Sequence, residues 1–315
     1  MILPVTQSIT VVVCAYTMKR LGLTLKCVRS VWAGTLRPSQ LVIVVDNNPE
    51  LEELLRERTK DTSSQVISNS GRGVADARTT AVTHCSSDLV AFIDDDAWAE
   101  PNWLAELASV FESADVIGAG GRVVPEWDHD ASRIPAELLW LVGATYKGHP
   151  DRPVTITRPI GANMIARRDA VIDVGGFPSD FGVRGGMTKS RGNEELALFT
   201  CLTERFGPDC IMYIPTAVVH HFVPADRTTW RYLVSRSWAE GTSKGYARQR
   251  FGRRVMTYDS SYVRETLVPG AFLYLRGANP YGLRSAAMCL TSLAVTVAGY
   301  SWQLAFARGG DRRAF

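Results

Sequence analysis

The six cysteines of this 315-residue chain, Cys14, Cys27, Cys85, Cys201, Cys210 and Cys289, include no CxxC pair, so the common zinc and dithiol redox patterns are missing. Most sit among apolar neighbours and read as reduced core thiols, which fits a reducing cytosol. Net charge is only +3. That is too mild to argue for nucleic acid, and no RNA- or DNA-binding motif accompanies it. The opening residues carry an apolar stretch but neither a basic leading segment nor a small-residue cleavage site, so they read as a first strand rather than a signal peptide. Internal repeats are also missing.

What is present suits one large α/β domain with an appendage, since 46% of the residues are apolar and can bury a substantial core. Ile9–Cys14 and Leu41–Val45 are short β-branched runs, as expected for parallel strands covered on both faces. Between them, residues 21–33 place Leu25, Val28, Val31 and Trp32 at helical spacing, with Gly34 and Pro38 as the stop. A helix over 51–60, a strand over 65–68, a Gly-rich loop and a helix over 74–85 follow. The alternation predicts a doubly wound, mostly parallel, Rossmann-like sheet with its ligand beyond the carboxyl ends of the strands. Ala15, Tyr16, Asp46, Asn69 and Asp94–Asp96 should meet there. The chain from Val116 to Phe177 is less regular and reads as an acceptor-side subdomain.

The tightest constraint is Leu89-Val90-Ala91-Phe92-Ile93-Asp94-Asp95-Asp96, an apolar run ending in three carboxylates. Extended alternation would point Asp94 and Asp96 one way and Asp95 the other, making a hard-oxygen pair for Mg2+ or Mn2+; an acidic turn is the rival reading. Asp46-Asn47-Asn48 follows a strand, where a carboxylate can accept the N3 hydrogen of uracil, or simply form an Asx turn. Asn69-Ser70-Gly71-Arg72-Gly73 runs into a helix bearing Arg78 and would let backbone approach a ligand, though many α/β proteins have such loops.

The order strand, DNN, NxGxxxxxxR and IDDD, followed by Gly161-Ala162-Asn163 and Val174-Gly175-Gly176-Phe177, resembles the family 2 glycosyltransferases over Ile9 to His221. The resemblance implies a GT-A fold, a nucleotide-sugar donor, UDP-linked for preference, and a divalent cation, Mn2+ or Mg2+. It assigns Ala15, Tyr16, Asp46, Asn69, Gly71, Arg78, Asp94 and Asp95 to the nucleotide and Asp96, with Asp94, to the metal. It further implies inversion, with one carboxylate deprotonating the acceptor hydroxyl. The matching stretch is Arg191-Gly192-Asn193-Glu194-Glu195, where Asn193 stands in place of the usual Glu. Glu194 is the expected base and Glu195 the second candidate, with Asn193 as N-cap. A scaffold subunit that binds nucleotide sugar without turnover is the alternative.

Val218-Val219-His220-His221 ends a strand-like run, and His221, nearest its end, is the expected third metal ligand. Arg227, Trp230 and Arg231 lie where the family has a loop closing over the diphosphate. Between Arg227 and Arg254 eight basic residues face the single acid Glu240. From Ser285 to Ala307 there is no charge, a length able to cross a bilayer, lie on it, or pack as a buried helix. These readings give a catalytic domain over 1–222, split at 115/116 into nucleotide and acceptor halves, and over 223–315 a basic loop with a helical C-terminal extension that can contact a membrane surface. The acceptor is left open between lipid-linked, glycan and small metabolite; the location expected is the cytoplasm or the cytoplasmic face of a membrane.

Overall fold

The computed structural model describes residues 7–128, 134–181, 192–277 and 280–306; Arg191, Ala307 and Arg308 fall outside them, as does the side chain of Arg254. The chain forms two compact units, one of Met1–Glu126, Pro150–Ser190 and Glu194–Phe222, the other of Trp127–His149, Arg191–Asn193 and Val223–Phe315.

The first unit opens with β1 (Ile9–Ala15), α1 (Leu21–Trp32), β2 (Gln40–Val45), α2 (Pro49–Thr59), β3 (Ser64–Ser68), α3 (Val74–His84) and β4 (Leu89–Asp94). These boundaries lie within two residues of the sequence expectation. Strands β3, β2, β1 and β4 are parallel in that order. In β1, β2 and β4 the residues alternate between two helix layers, so apolar, largely β-branched side chains fill both faces and these strands read as near-continuous apolar runs, whereas the edge strand β3 is only partly buried. On one face Val12, Val44 and Phe92 pack with Ala81 of α3 and with Leu198 and Leu202 of α6 (Glu194–Phe206).

Beyond β4 the sheet is mixed. It continues through β8 (Asn163–Arg167), antiparallel to both β4 and β6 (Gly118–Trp127), then through β9 (Ile211–Val223), with β5 (Ala97–Ala99) and β7 (Val154–Thr155) each antiparallel to β9. Helices α4 (Trp103–Ala108) and α5 (Arg168–Asp173) complete the unit. The segment read as irregular therefore supplies much of a mixed sheet. Its strands were obscured because close backbone approach replaces β-branched residues with glycine: a Cβ on Gly121 would collide with the Ala217 carbonyl and stand 2.5 Å from Asn163 Nδ2. Buried Asn163 fastens this half. Its Oδ1 accepts from Trp103 Nε1 at 2.8 Å, and its Nδ2 donates to the carbonyls of Arg122 and Ala217 at 2.9 and 2.8 Å.

The second unit is helical, with α7 (Trp230–Phe251), α8 (Thr257–Tyr262), α9 (Val268–Arg276) and α10 (Pro280–Phe306). In it α7 and α10 pack tightly: a side chain on Gly241 would strike the carbonyl of Thr296, and one on Gly299 would lie 2.7 Å from that of Trp238.

Candidate active site

Strand β4 stops at Asp94, and Asp95 and Asp96 form the turn into β5. Strand alternation therefore does not orient the three carboxylates. Arg20 does much of it: its Nη1 meets Asp95 Oδ1 at 2.7 Å and its Nη2 meets Asp96 Oδ2 at 2.9 Å. Strand β5 then pairs antiparallel with β9 so that Ala97 stands opposite His221, and Phe222 N–H donates to the Asp96 carbonyl at 2.9 Å. This register brings His221 Nε2 within 3.1 Å of Asp96 Oδ1. Alternation along β9 sends His220 the other way, where its ring stacks on Trp98 and its nitrogens face Glu126 and Glu100 at 2.8 and 3.1 Å.

Asp94, Asp96 and His221 each present a ligand atom, all within 4.8 Å of one another. Two carboxylates and an imidazole suit Mn2+ or another borderline-to-hard divalent ion. Among the described residues, buried His221 Nδ1 has no hydrogen-bond partner, leaving a polar atom that coordination or a bound water would satisfy. The residues therefore fit a metal. Asp95 is buried, and desolvation, with the charge of Asp96 adding to it against Arg20, pushes its carboxyl up to about 7.

Asp46, Asn69 and the glycine loop form one network. Asp46 Oδ1 accepts from Asn69 Nδ2 at 2.8 Å and Oδ2 from Gly73 N–H at 3.0 Å, while Asn69 Oδ1 accepts from Gly71 N–H at 3.1 Å. Gly73 takes φ +90 at the start of α3, a backbone conformation open mainly to glycine. Gly71 is required for a different reason: a Cβ there would stand 2.5 Å from Asp76 Oδ2, which caps Arg72 N–H. Tyr16 is half exposed, with its ring 5.3 Å from the Arg20 guanidinium, and Ala15 is buried at the end of β1.

Arg78 is buried on α3. Its Nη1 donates to Glu194 Oε1 at 2.7 Å and its Nη2 to Asp94 Oδ1 and the Gly161 carbonyl, both at 3.1 Å. The Phe92 and Phe177 rings lie 5.9 and 5.6 Å from the guanidinium. Gly175 and Gly176, at φ +85 and +80, turn the chain so that Phe177 N–H reaches Thr79 Oγ1 at 3.0 Å. The GGF segment thus builds a wall of the arginine's chamber. Burial works against the Arg78 charge, but Glu194 and Asp94 outweigh it and raise its pKa further. Glu195, next on α6, is pushed up to about 7 by burial and by the charge of Glu194. Asn193 does not adopt N-cap geometry: at φ +70 it is left-handed, and its Nδ2 faces Glu240 Oε2 at 3.4 Å.

Arg227 lies in the short turn Ala225–Thr228, and Trp230 and Arg231 begin α7, all in the second unit. Trp230 and Arg231 are exposed. Sequence reasoning overlooked Arg20 altogether. The available signal was Lys19-Arg20 directly after β1, at the end of the sheet where ligands bind.

A mixed sheet whose β4 ends in an Asp–Asp–His cluster, with a paired arginine and glutamate beside it, defines a GT-A type sugar-transferring enzyme. The family model "Glycosyl transferase family 2" matches residues 10–175. The chain is 34% identical over 242 residues to the glucosyl-dolichyl phosphate glucuronosyltransferase of Haloferax volcanii, covering 76% of each chain, and 28% identical over 251 residues to the succinoglycan biosynthesis protein ExoM of Rhizobium meliloti, covering 76% of this chain and 75% of that one. Among solved structures it resembles the mannosyltransferase PcManGT of Pyrobaculum calidifontis, solved with GDP-Man and Mn2+, at TM-score 0.62 and 16% identity over 94% of this chain and 87% of that one. The chain belongs to glycosyl transferase family 2 and has the α/β GT-A fold.

Proposed function

We propose that this glycosyltransferase is metal-dependent and inverting, moves a hexose-type sugar from a nucleotide diphosphate donor, UDP-linked for preference, and delivers it to a lipid-phosphate-linked acceptor at the cytoplasmic face of a membrane. The observation that carries the chemistry is the Asp94–Arg78–Glu194 bridge, which ties the candidate metal carboxylates to the candidate base. Asp94, Asp96 and His221 would hold Mn2+ or Mg2+, which when bound offsets the charge of the departing diphosphate. Asp46 and Asn69, with Tyr16 exposed nearby in sequence to β1, would receive the nucleoside, and Arg227, Trp230 and Arg231 would answer the diphosphate with planar donors and an aromatic face.

Glu194 then acts as general base. Arg78 occupies Oε1 and fixes the carboxylate, so that Oε2 can take the acceptor hydroxyl proton while that oxygen attacks the anomeric carbon and the diphosphate leaves from the opposite side. Glu195, held near neutrality, stands beside it as the second candidate. The lipid-linked acceptor is supported by the Haloferax relative, whose name gives a glucosyl-dolichyl phosphate substrate, and by the uncharged stretch 285–306 of α10.

The test is transfer from a panel of UDP-, GDP- and dTDP-sugars to polyprenyl phosphate glycosides, with Mn2+, Mg2+ or chelator. Metal-dependent product of inverted anomeric configuration that disappears in Glu194→Gln supports the reading. Ligand-induced thermal stabilisation with no turnover on any acceptor, and a Glu194→Gln variant equal to the parent, would instead favour a binding scaffold.

A further inference from the structure

Helix α10 buries a face of mostly small residues, Ala286 and Cys289 with the larger Met288 among them, and leaves an apolar stripe outside. Ser285, Ser292 and Gly299, seven residues apart, are buried, while Leu283, Leu290 and Val297, on the same spacing, are exposed at 52%, 48% and 53%. A helix on a water-soluble surface does the reverse, burying its apolar stripe and showing its polar one. Small and hydroxyl residues inside with apolar residues outside is the pattern of helices that face lipid. The partner face on α7 matches: Ser237 shares a hydrogen bond with Ser292 at 2.9 Å, and Gly241 and Gly245 let the two backbones close.

Which way the helix meets a bilayer is decided by α7. It carries Arg236 and Lys244, paired with Glu240 at 2.9 and 3.2 Å, and Arg248, bonded to the Tyr300 hydroxyl of α10. Such charges are costly at a bilayer centre, so the α7–α10 pair cannot cross together. Crossing by α10 alone would strip it from Gly241 and Gly245 and break the Ser237–Ser292 and Gln249–Gln303 bonds. Lying in the plane keeps all of these and still hides the apolar stripe. Trp238 and Trp302, exposed and 6.0 Å apart between ring centroids, suit the headgroup boundary. Exposed Arg231, Arg250, Arg253 and Arg276 on the same helical unit supply positive charge for anionic headgroups.

We propose that the outward stripe of α10 is a docking surface for an anionic lipid leaflet, on which the helix lies in the plane of the membrane and does not cross it. The proposal rests on the membrane attachment inferred above and specifies its surface and depth.

The full chain is tested by flotation with phosphatidylcholine vesicles with and without phosphatidylglycerol. Leu283→Cys, Leu290→Cys and Val297→Cys, each carrying an environment-sensitive fluorophore, are quenched by nitroxide lipids at known depths, with the labelled parent as background. Flotation that needs the anionic lipid, and equal, shallow depth at all three sites, is expected. Leu290→Asp and Val297→Asp, both outside the core, should each lower vesicle partition by about tenfold or more while leaving nucleotide-induced thermal stabilisation unchanged. A Leu290 label deeper than both others would mean a spanning helix. Absence of quenching at every site, or a vesicle-free dimer that Leu290→Asp dissociates, would overturn lipid as the occupant. Loss of the nucleotide effect in the parent would count against the donor reading alone.

Discussion

Replacing Arg78 by Met keeps most of the side-chain volume and removes the guanidinium that joins Asp94, Gly161 and Glu194. The pair is well shielded, the Arg78 and Glu194 side chains being 4% and 10% exposed, so solvent does little to soften the loss. Removing one partner of a buried ion pair costs about 3–5 kcal/mol because the other charge stays behind unpaired. At this domain size that is a fall in Tm of roughly 10 °C. Turnover should fall more than binding: freeing the base by about 1 Å costs about 100-fold, whereas Asp46 and Asn69 hold their own network without Arg78. The assay is a double-mutant cycle of Arg78→Met and Glu194→Gln, read by thermal unfolding and by donor hydrolysis. The double variant should regain stability over Arg78→Met, with a coupling of about 2 kcal/mol or more, and stay inactive. Strictly additive stabilities, or an Arg78→Met enzyme with unchanged kcat and a raised KM for donor, would refute the bridge and leave Arg78 as a nucleotide ligand.

Asp96→Asn and His221→Ala should each abolish Mn2+-dependent stabilisation by nucleotide; Asp96→Asn also removes one charge from a crowded acidic turn, so its metal-free Tm changes little or rises, whereas His221→Ala takes the buried imidazole from beside Asp96 and lowers it; differential scanning fluorimetry with chelator reads both. Glu195 has a folded pKa of about 7 against an ordinary 4.5, so between these values the native state binds more protons than the unfolded one and stability falls as pH rises; Glu195→Gln should flatten that part of a Tm–pH curve. Gly121→Ala must displace the Ala217 carbonyl or Asn163 and should cost about 1–3 kcal/mol by overpacking, measured by chemical denaturation.

The parallel half of the sheet was legible because β1, β2 and β4 are buried on both faces and the strands are punctuated by helices with clear stops. Its mixed half was not, since Gly118-Ala119-Gly120-Gly121 carries no strand propensity; those positions are set by what lies opposite, Pro159, Ala217 and Phe199, and such close approach leaves no local pattern. The same limit explains the acidic turn. Alternation grouped Asp94 with Asp96 correctly, yet the grouping comes from Arg20, seventy-five residues away from Asp95 in sequence, and from β5–β9 register, neither visible to a local reading.

Asn193 marks where the family pattern and this chain part. An Asn at φ +70 costs little compared with most residues, because its short amide tolerates the left-handed region, and that backbone places Glu194 at the first residue of α6. Carboxylates there are favoured by the helix N-terminus, and Glu194 has Arg78 in addition, whereas Glu195 has burial and a like charge against it. Two adjacent glutamates thus sit in opposed environments, one held by a cation and one held near neutrality. On the proposed mechanism, the departure from the usual motif still leaves one carboxylate paired with Arg78 to serve as base. Glu194→Gln should remove turnover and Glu195→Gln should keep it while shifting its pH dependence; a Glu195→Gln enzyme without turnover, beside an active Glu194→Gln, would exchange the two roles.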